Sequence, residues 1–77
     1  MPDTPRELVV GGIYKHYKRG DTYKVLHLAT ESDTEKPAVV YQAQYGEGRV
    51  FTRDLTVFLE NVMLDGEAKE RFELIGQ

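Results

Sequence analysis

Two histidines, His16 and His27, are the only imidazoles in the chain, and cysteine is absent. A structural or catalytic zinc site takes three or four nitrogen, sulfur or carboxylate ligands with a supporting shell behind them. These two histidines form neither an HxH nor an HExxH spacing, so no metal centre is expected. The single serine, Ser32, lies in an acidic, polar stretch with no base beside it, and nucleophilic catalysis therefore lacks its parts. Gly46 and Gly48 stand too close together to cradle a phosphate and fit a hairpin turn better. Acid–base work by paired carboxylates needs a cleft that a chain of 77 residues hardly provides. The reading is of a non-enzyme, with no catalytic residue, no metal and no cofactor.

One constellation does concentrate. Tyr14, His16, Tyr17, Lys18, Arg19 and Tyr23 fall together, and Tyr41, Tyr45, Arg49, Phe51 and Arg53 form a second group. Aromatic faces stack on nucleobases and cations meet phosphates. The same kinds of ring also grip proline-rich or other peptides. The candidate binding residues are Tyr14, His16, Tyr17, Lys18, Arg19, Tyr23, Tyr41, Tyr45, Phe51 and Arg53. The opposing consideration is packing, since a small fold fills its interior with large side chains. Some of these tyrosines must therefore be core, and the sequence leaves open which. His16 stands out because it sits among Tyr14, Lys15, Tyr17 and Lys18, and an imidazole changes charge near neutral pH.

Charge is unevenly spread. The net value of −3 argues against strong nonspecific nucleic-acid binding. Yet residues 13–24 carry Lys15, Lys18, Arg19 and Lys24 against Asp21 alone, while residues 54–77 carry six acids against Lys69 and Arg71. The acidic total favours a protein partner, and the local basic and aromatic cluster favours single-stranded nucleic acid.

The elements that must position these residues are short strands. Residues 1–10, with Pro2, Pro5 and several charges, read as a flexible leader, closed by Gly11 and Gly12. Residues 13–18 and 22–30 alternate in the manner of strands and flank a turn in which Gly20 supplies a positive φ. Residues 31–37 are a polar, acidic, mobile loop. Residues 38–45 form a third strand, with Val39, Tyr41, Ala43 and Tyr45 on one side. A turn at residues 46–48 leads to a fourth strand at 49–53. Leu55, Phe58, Leu59 and Val62 then switch to a helical period, with Asp54 placed to cap it. Asp65-Gly66 is a hairpin signal joining strands near 61–64 and 70–75.

That order predicts a mainly all-β fold: a small SH3-like antiparallel barrel of about five or six short strands, with one helical turn near residues 54–60. Residues 11–76 make one domain. A chain this short buries roughly 60% of the surface its unfolded form exposes, so a modest stability is expected. The longest apolar runs are a few residues, too short to span a membrane. No signal-peptide layout is visible and cysteine is absent, so a cytoplasmic protein, monomeric or weakly dimeric, is expected.

Three stretches together resemble a known family. They are residues 12–18 (Gly-Ile-Tyr-Lys-His-Tyr-Lys) followed by Tyr23-Lys24-Val25-Leu26; residues 39–46 around Val40-Tyr41; and Phe51-Thr52-Arg53 with Phe58-Leu59-Glu60 and the Arg71-Phe72 ending. The pattern is similar to that of DUF1653, a family of small bacterial proteins of unknown function, over roughly residues 11–75. Phe51 stands where the family often has tryptophan, which would weaken stacking there, and Asp54 where it often has proline. The first turn is a little longer than usual. The resemblance implies no activity. The expectation is a binding module engaging a protein or single-stranded nucleic acid; the alternatives are an accessory domain of a larger assembly or a small enzyme centred on His16.

Overall fold

Along the first strands buried residues alternate with more exposed ones: Tyr14 in the first, Tyr23 and Val25 in the second, and Val39, Tyr41 and Ala43 in the third turn inward. The computed structural model describes residues 8–77. Among these, seven strands and one helix follow in the order β1 (Ile13–His16), β2 (Thr22–Thr30), β3 (Pro37–Ala43), β4 (Val50–Asp54), α1 (Leu55–Phe58), β5 (Asn61–Leu64), β6 (Glu67–Glu70) and β7 (Phe72–Gly76). All strand pairs are antiparallel. One sheet has five strands in the order β4-β3-β2-β1-β7, and β5-β6 form a separate two-stranded sheet.

The first two hairpins lie where the turn residues put them. Gly20 has φ +75°, and its N–H bonds His16 O while His16 N–H bonds Asp21 O, closing the β1–β2 turn. Gly46 and Gly48 have φ +59° and +70°, values that side-chain-bearing residues rarely adopt. β2 is bent by a register shift between Val25 and His27. Before the bulge Tyr23 and Val25 point into the core; after it His27 and Leu28 face solvent. The 31–36 segment is drawn together by Glu31, whose carboxylate accepts from Thr34 and Asp33 N–H. Those bonds hold its pKa below the usual carboxylate value.

The helical turn falls within the expected 54–60, at Leu55–Phe58, and the strand expected at 61–64 is β5. One expectation needs correction: the last strand, expected at 70–75, is β7 at Phe72–Gly76, and a further strand, β6, precedes it at Glu67–Glu70. Asp65 and Gly66 both take positive φ, +53° and +81°, which fold β6 tightly back on β5 with Leu64 opposite Glu67. Arg71 then breaks the ladder, and Phe72 begins β7 in the other sheet. The chain thus gains a seventh strand.

Residues 1–7 of the expected leader lie outside the described residues. Leu8 packs against the core, Val9 N–H bonds the Tyr14 hydroxyl at 3.0 Å, and Gly11 N–H bonds Val25 O at 2.8 Å. The core itself is aromatic: Tyr14, Tyr23, Tyr41, Phe58 and Phe72, with Val25, Val39 and Ala43. Phe58 and Phe72 stack at 4.2 Å with a 4° interplanar angle, and Tyr14 meets Phe58 edge-on at 5.3 Å. The one-turn helix exists to deliver Phe58 into this cluster. Full burial of such a side chain stabilises by about 1.5–3 kcal/mol.

Candidate functional site

Two turns and one sheet edge bring the basic and aromatic residues together. The β1–β2 turn carries His16 and Arg19. The β3–β4 turn reverses at Gly46–Gly48, held by Gln42 Nε2 donating to Gly48 O at 2.8 Å. That reversal sets Tyr45 beside Tyr23, hydroxyl to hydroxyl at 2.9 Å. β4 presents Phe51 and Arg53, both paired to β3 opposite Tyr41 and Val39. The result is a cleft of about 220 Å³ walled by His16, Arg19, Tyr45, Phe51 and Arg53 and floored by Tyr23, Tyr41 and Phe72.

Arg53 is the centre of this cleft. Its guanidinium lies 5.6 Å from the Phe72 ring centroid, and Nε donates to the Tyr41 hydroxyl at 3.2 Å. The contact with Phe72 also spans from β4 to β7, the two ends of the strand ladder. No carboxylate lies within ion-pair distance of Arg53 among the described residues, and its two Nη groups make no hydrogen bond there. Such a fork suits a planar or tetrahedral anion. Arg19 differs, because Asp21 accepts from its Nε at 3.1 Å.

The surroundings of His16 favour its neutral form. Partial burial lowers its pKa first, and the guanidinium charges of Arg53, Arg71 and Arg19 lower it further, against a weaker opposite pull from Asp21. Its Nδ1 accepts from Lys18 N–H at 3.2 Å, which leaves the neutral ring's proton on Nε2. Its ring meets Phe72 edge-on at 5.1 Å. Burial and the bond to Tyr45 push the Tyr23 phenol up to about 12, so the Tyr23 hydroxyl keeps its proton. Nearby, Arg71 pairs with Glu60 at 3.1 Å while its buried Nε has no hydrogen-bond partner among the described residues.

A second cleft of about 400 Å³ adjoins the first and shares Arg19, Tyr45 and Phe51 with it; its own lining adds Ala43, Gly46, Glu47 and Arg49. A larger hollow of about 450 Å³ lies elsewhere, between Tyr17 and the β5–β6 hairpin. Its two lysines, Lys15 and Lys69, face Glu70 and Glu73, so it carries no net preference for an anion.

Of the ten residues singled out from sequence, seven line the 220 Å³ cleft. Tyr14 does not: it is 1% exposed, and its hydroxyl is taken by Val9 N–H. Tyr17 lies over His16 but opens onto the other hollow, and Lys18 is exposed away from both. Tyr23 and Tyr41 line the cleft but are core residues, and their hydroxyls bond Tyr45 and Arg53. Phe72 was missed as a cleft residue. Its alternation with Arg71 and Glu73 marked only a strand, and its place under Arg53 follows from a long-range contact between β4 and β7. Among the described residues no three of His, Asp or Glu gather as a metal site, and no helix is long and apolar enough to cross a membrane.

Comparison with known proteins gives one family and one fold. Residues 12–74 match the family described as a protein of unknown function (DUF1653). A crystal structure of a DUF1653 protein from Bordetella bronchiseptica is similar at a TM-score of 0.75 and 34% identity, over 99% of this chain and 92% of that one. No curated protein matches the chain.

Proposed function

The chain belongs to the DUF1653 family, whose function is unknown, and we propose that it is a small non-enzymatic binding module whose arginine-lined cleft takes a single strand of nucleic acid. The observation that carries this reading is Arg53: a guanidinium whose Nη donors have no partner among the described residues, placed over Phe72 and against Tyr41, beside Arg19 and two half-exposed rings. Tyr45 and Phe51 are 40% and 37% exposed, enough to offer a face or edge to a nucleobase. Phosphates would meet the arginines and bases the rings, the division of labour common to single-strand binders. The acidic total charge sits mainly on other parts of the chain, in residues 54–77.

We also read the curled sheet as an SH3-like barrel. The contact of Arg53 on β4 with Phe72 on β7 supports this reading, since it brings the two ladder ends together through side chains, and so does the helical turn that precedes the later strands. The β5–β6 hairpin is then an insertion before the last barrel strand. On this reading His16 is a cleft wall and not a general base, because the carboxylate near it, Asp21, is held by Arg19.

The test is an NMR titration of the full chain with single-stranded RNA and DNA oligomers at low salt. Amide shifts should cluster at residues 16–21, 45–53 and 72. Arg53→Ala should abolish them, and binding should weaken steeply as salt rises. If oligomers leave these amides unmoved while an acidic peptide shifts them, the ligand is a protein segment and the nucleic-acid reading is wrong.

A further inference from the structure

The Arg53 cleft and its neighbour are separate hollows with a common wall of Arg19, Tyr45 and Phe51. Each has an arginine of its own, Arg53 in the smaller and Arg49 in the larger. Neither Arg49 nor Arg53 has a carboxylate within ion-pair distance among the described residues. The wall is braced: the Tyr23 hydroxyl bonds that of Tyr45, Tyr23 meets Tyr45 edge-on at 5.6 Å, and Phe51 leans on Tyr41 at 5.8 Å. Tyr45, Phe51 and Arg19, the last paired with Asp21 through its Nε at 3.1 Å, each line both hollows.

Resting on the proposal that the chain binds a single strand, we infer that the two hollows are consecutive subsites, so that the unit recognised is a dinucleotide, with Arg19 on the phosphate between its two nucleosides. One base would pack on each side of the Tyr45–Phe51 wall, and Arg53 and Arg49 would meet the outer phosphates. The subsites are unequal. The Arg53 hollow has an aromatic floor and no acid in its lining, whereas Glu47 lines the Arg49 hollow. A single nucleotide therefore takes the Arg53 side first, and the second subsite is filled only by a longer ligand.

The experiment measures affinity for thymidine 5′-monophosphate and for oligothymidylates of increasing length that carry a phosphate at both the 5′ and the 3′ end, by NMR titration of the full chain. Affinity should rise by about tenfold or more from the mononucleotide to the dinucleotide, through one more stacked base and the internucleoside and 3′-phosphate contacts. Beyond two it should rise only by the number of ways the chain can place itself. Arg49→Ala should bring the dinucleotide down to the mononucleotide's affinity, leave the mononucleotide unchanged, and reduce the salt slope by about 0.7. Glu47→Gln should tighten the dinucleotide alone. Both positions are exposed, and the unperturbed amide spectrum of each variant will verify its fold. A steep rise continuing through four or more nucleotides, or an equal loss for all lengths in Arg49→Ala, overturns the dinucleotide unit and leaves strand binding standing. Failure of every oligomer to bind overturns both.

Discussion

Arg53 joins packing and recognition in one side chain. Its contacts with Phe72 and with the Tyr41 hydroxyl are a cation–π interaction and a hydrogen bond. Together these contribute about 1–2 kcal/mol, so Arg53→Ala should lower the urea midpoint as well as remove binding. Arg53→Lys keeps the charge but loses the fork. It should recover part of the affinity and little of the Tyr41 contact, which chemical shifts of the Tyr41 ring will report. His16 gives a pH dependence of two signs. Its folded pKa lies below the ordinary 6.5 of the unfolded chain, so the folded state favours the neutral ring. Stability from this residue is complete above pH 6.5 and is lost as pH falls from there through the folded pKa. Anion binding runs the other way, because protonation adds a cation to the cleft wall. Affinity for a phosphorylated oligomer should therefore rise as pH drops below 6.5 while the melting temperature falls, and His16→Gln should flatten this part of both profiles. At the centre of the core, Phe58→Ala removes a fully buried ring stacked on Phe72 and should cost about 3–5 kcal/mol, read by chemical unfolding.

At the scale of elements, the turns and the cap were plain in the sequence because each depends on one or two residues. Asp54 accepts from Thr56 and Val57 N–H at 2.8 and 3.3 Å, the capping role its position before the Leu55 stripe suggested. Asp54→Ala should destabilise by about 1 kcal/mol. Since α1 is a single turn whose task is to place Phe58, the loss should register in the core resonances and not only at the helix. Gly12 shows what local pattern could not reveal. A Cβ there would come within 2.8 Å of Leu74 Cδ1 and 3.0 Å of Val9 O, where the segment before β1, β1 itself and β7 converge. The Val9 carbonyl is backbone and cannot yield easily, so Gly12→Ala should cost about 1–3 kcal/mol in a thermal melt. The division of the last segment into β6 and β7 was hidden for a related reason. Residues 67–71 hold four charged residues and Ala68, with no apolar alternation to mark a strand, and local pattern does not say that β6 pairs with β5 and β7 with β1.

For the molecule as a whole, the aromatic core and the β5–β6 hairpin are unequal partners. The hairpin pairs only with itself, and Met63 at its surface is 70% exposed. Its ties to the body include Arg71 N–H to Glu60 O and the Arg71–Glu60 ion pair. Amides of residues 61–70 should exchange with solvent faster than those of β2 and β3, which sit in the middle of the five-stranded sheet. Hydrogen exchange at neutral pH checks this directly; equal protection in both regions would mean that the hairpin opens only with the whole fold.

By itself the sequence determined the class of the fold, the first two hairpins and the family, because those follow from side-chain alternation, glycine conformations and a long ordered pattern of residue types. It also marked out the basic and aromatic residues from which the cleft is built. Only the tertiary structure decided which tyrosines point inward. Tyr14, Tyr23 and Tyr41 do, and Tyr45 does not, although Tyr41 and Tyr45 sit on the same side of the expected third strand. The reason is that β3 ends at Ala43, and the Gly46–Gly48 reversal carries Tyr45 out of the pleat to the lip of the cleft. The place of Phe72 beneath Arg53 was likewise beyond the sequence. It depends on two strands nearly twenty residues apart meeting across the curl of a sheet, a contact that no local period encodes.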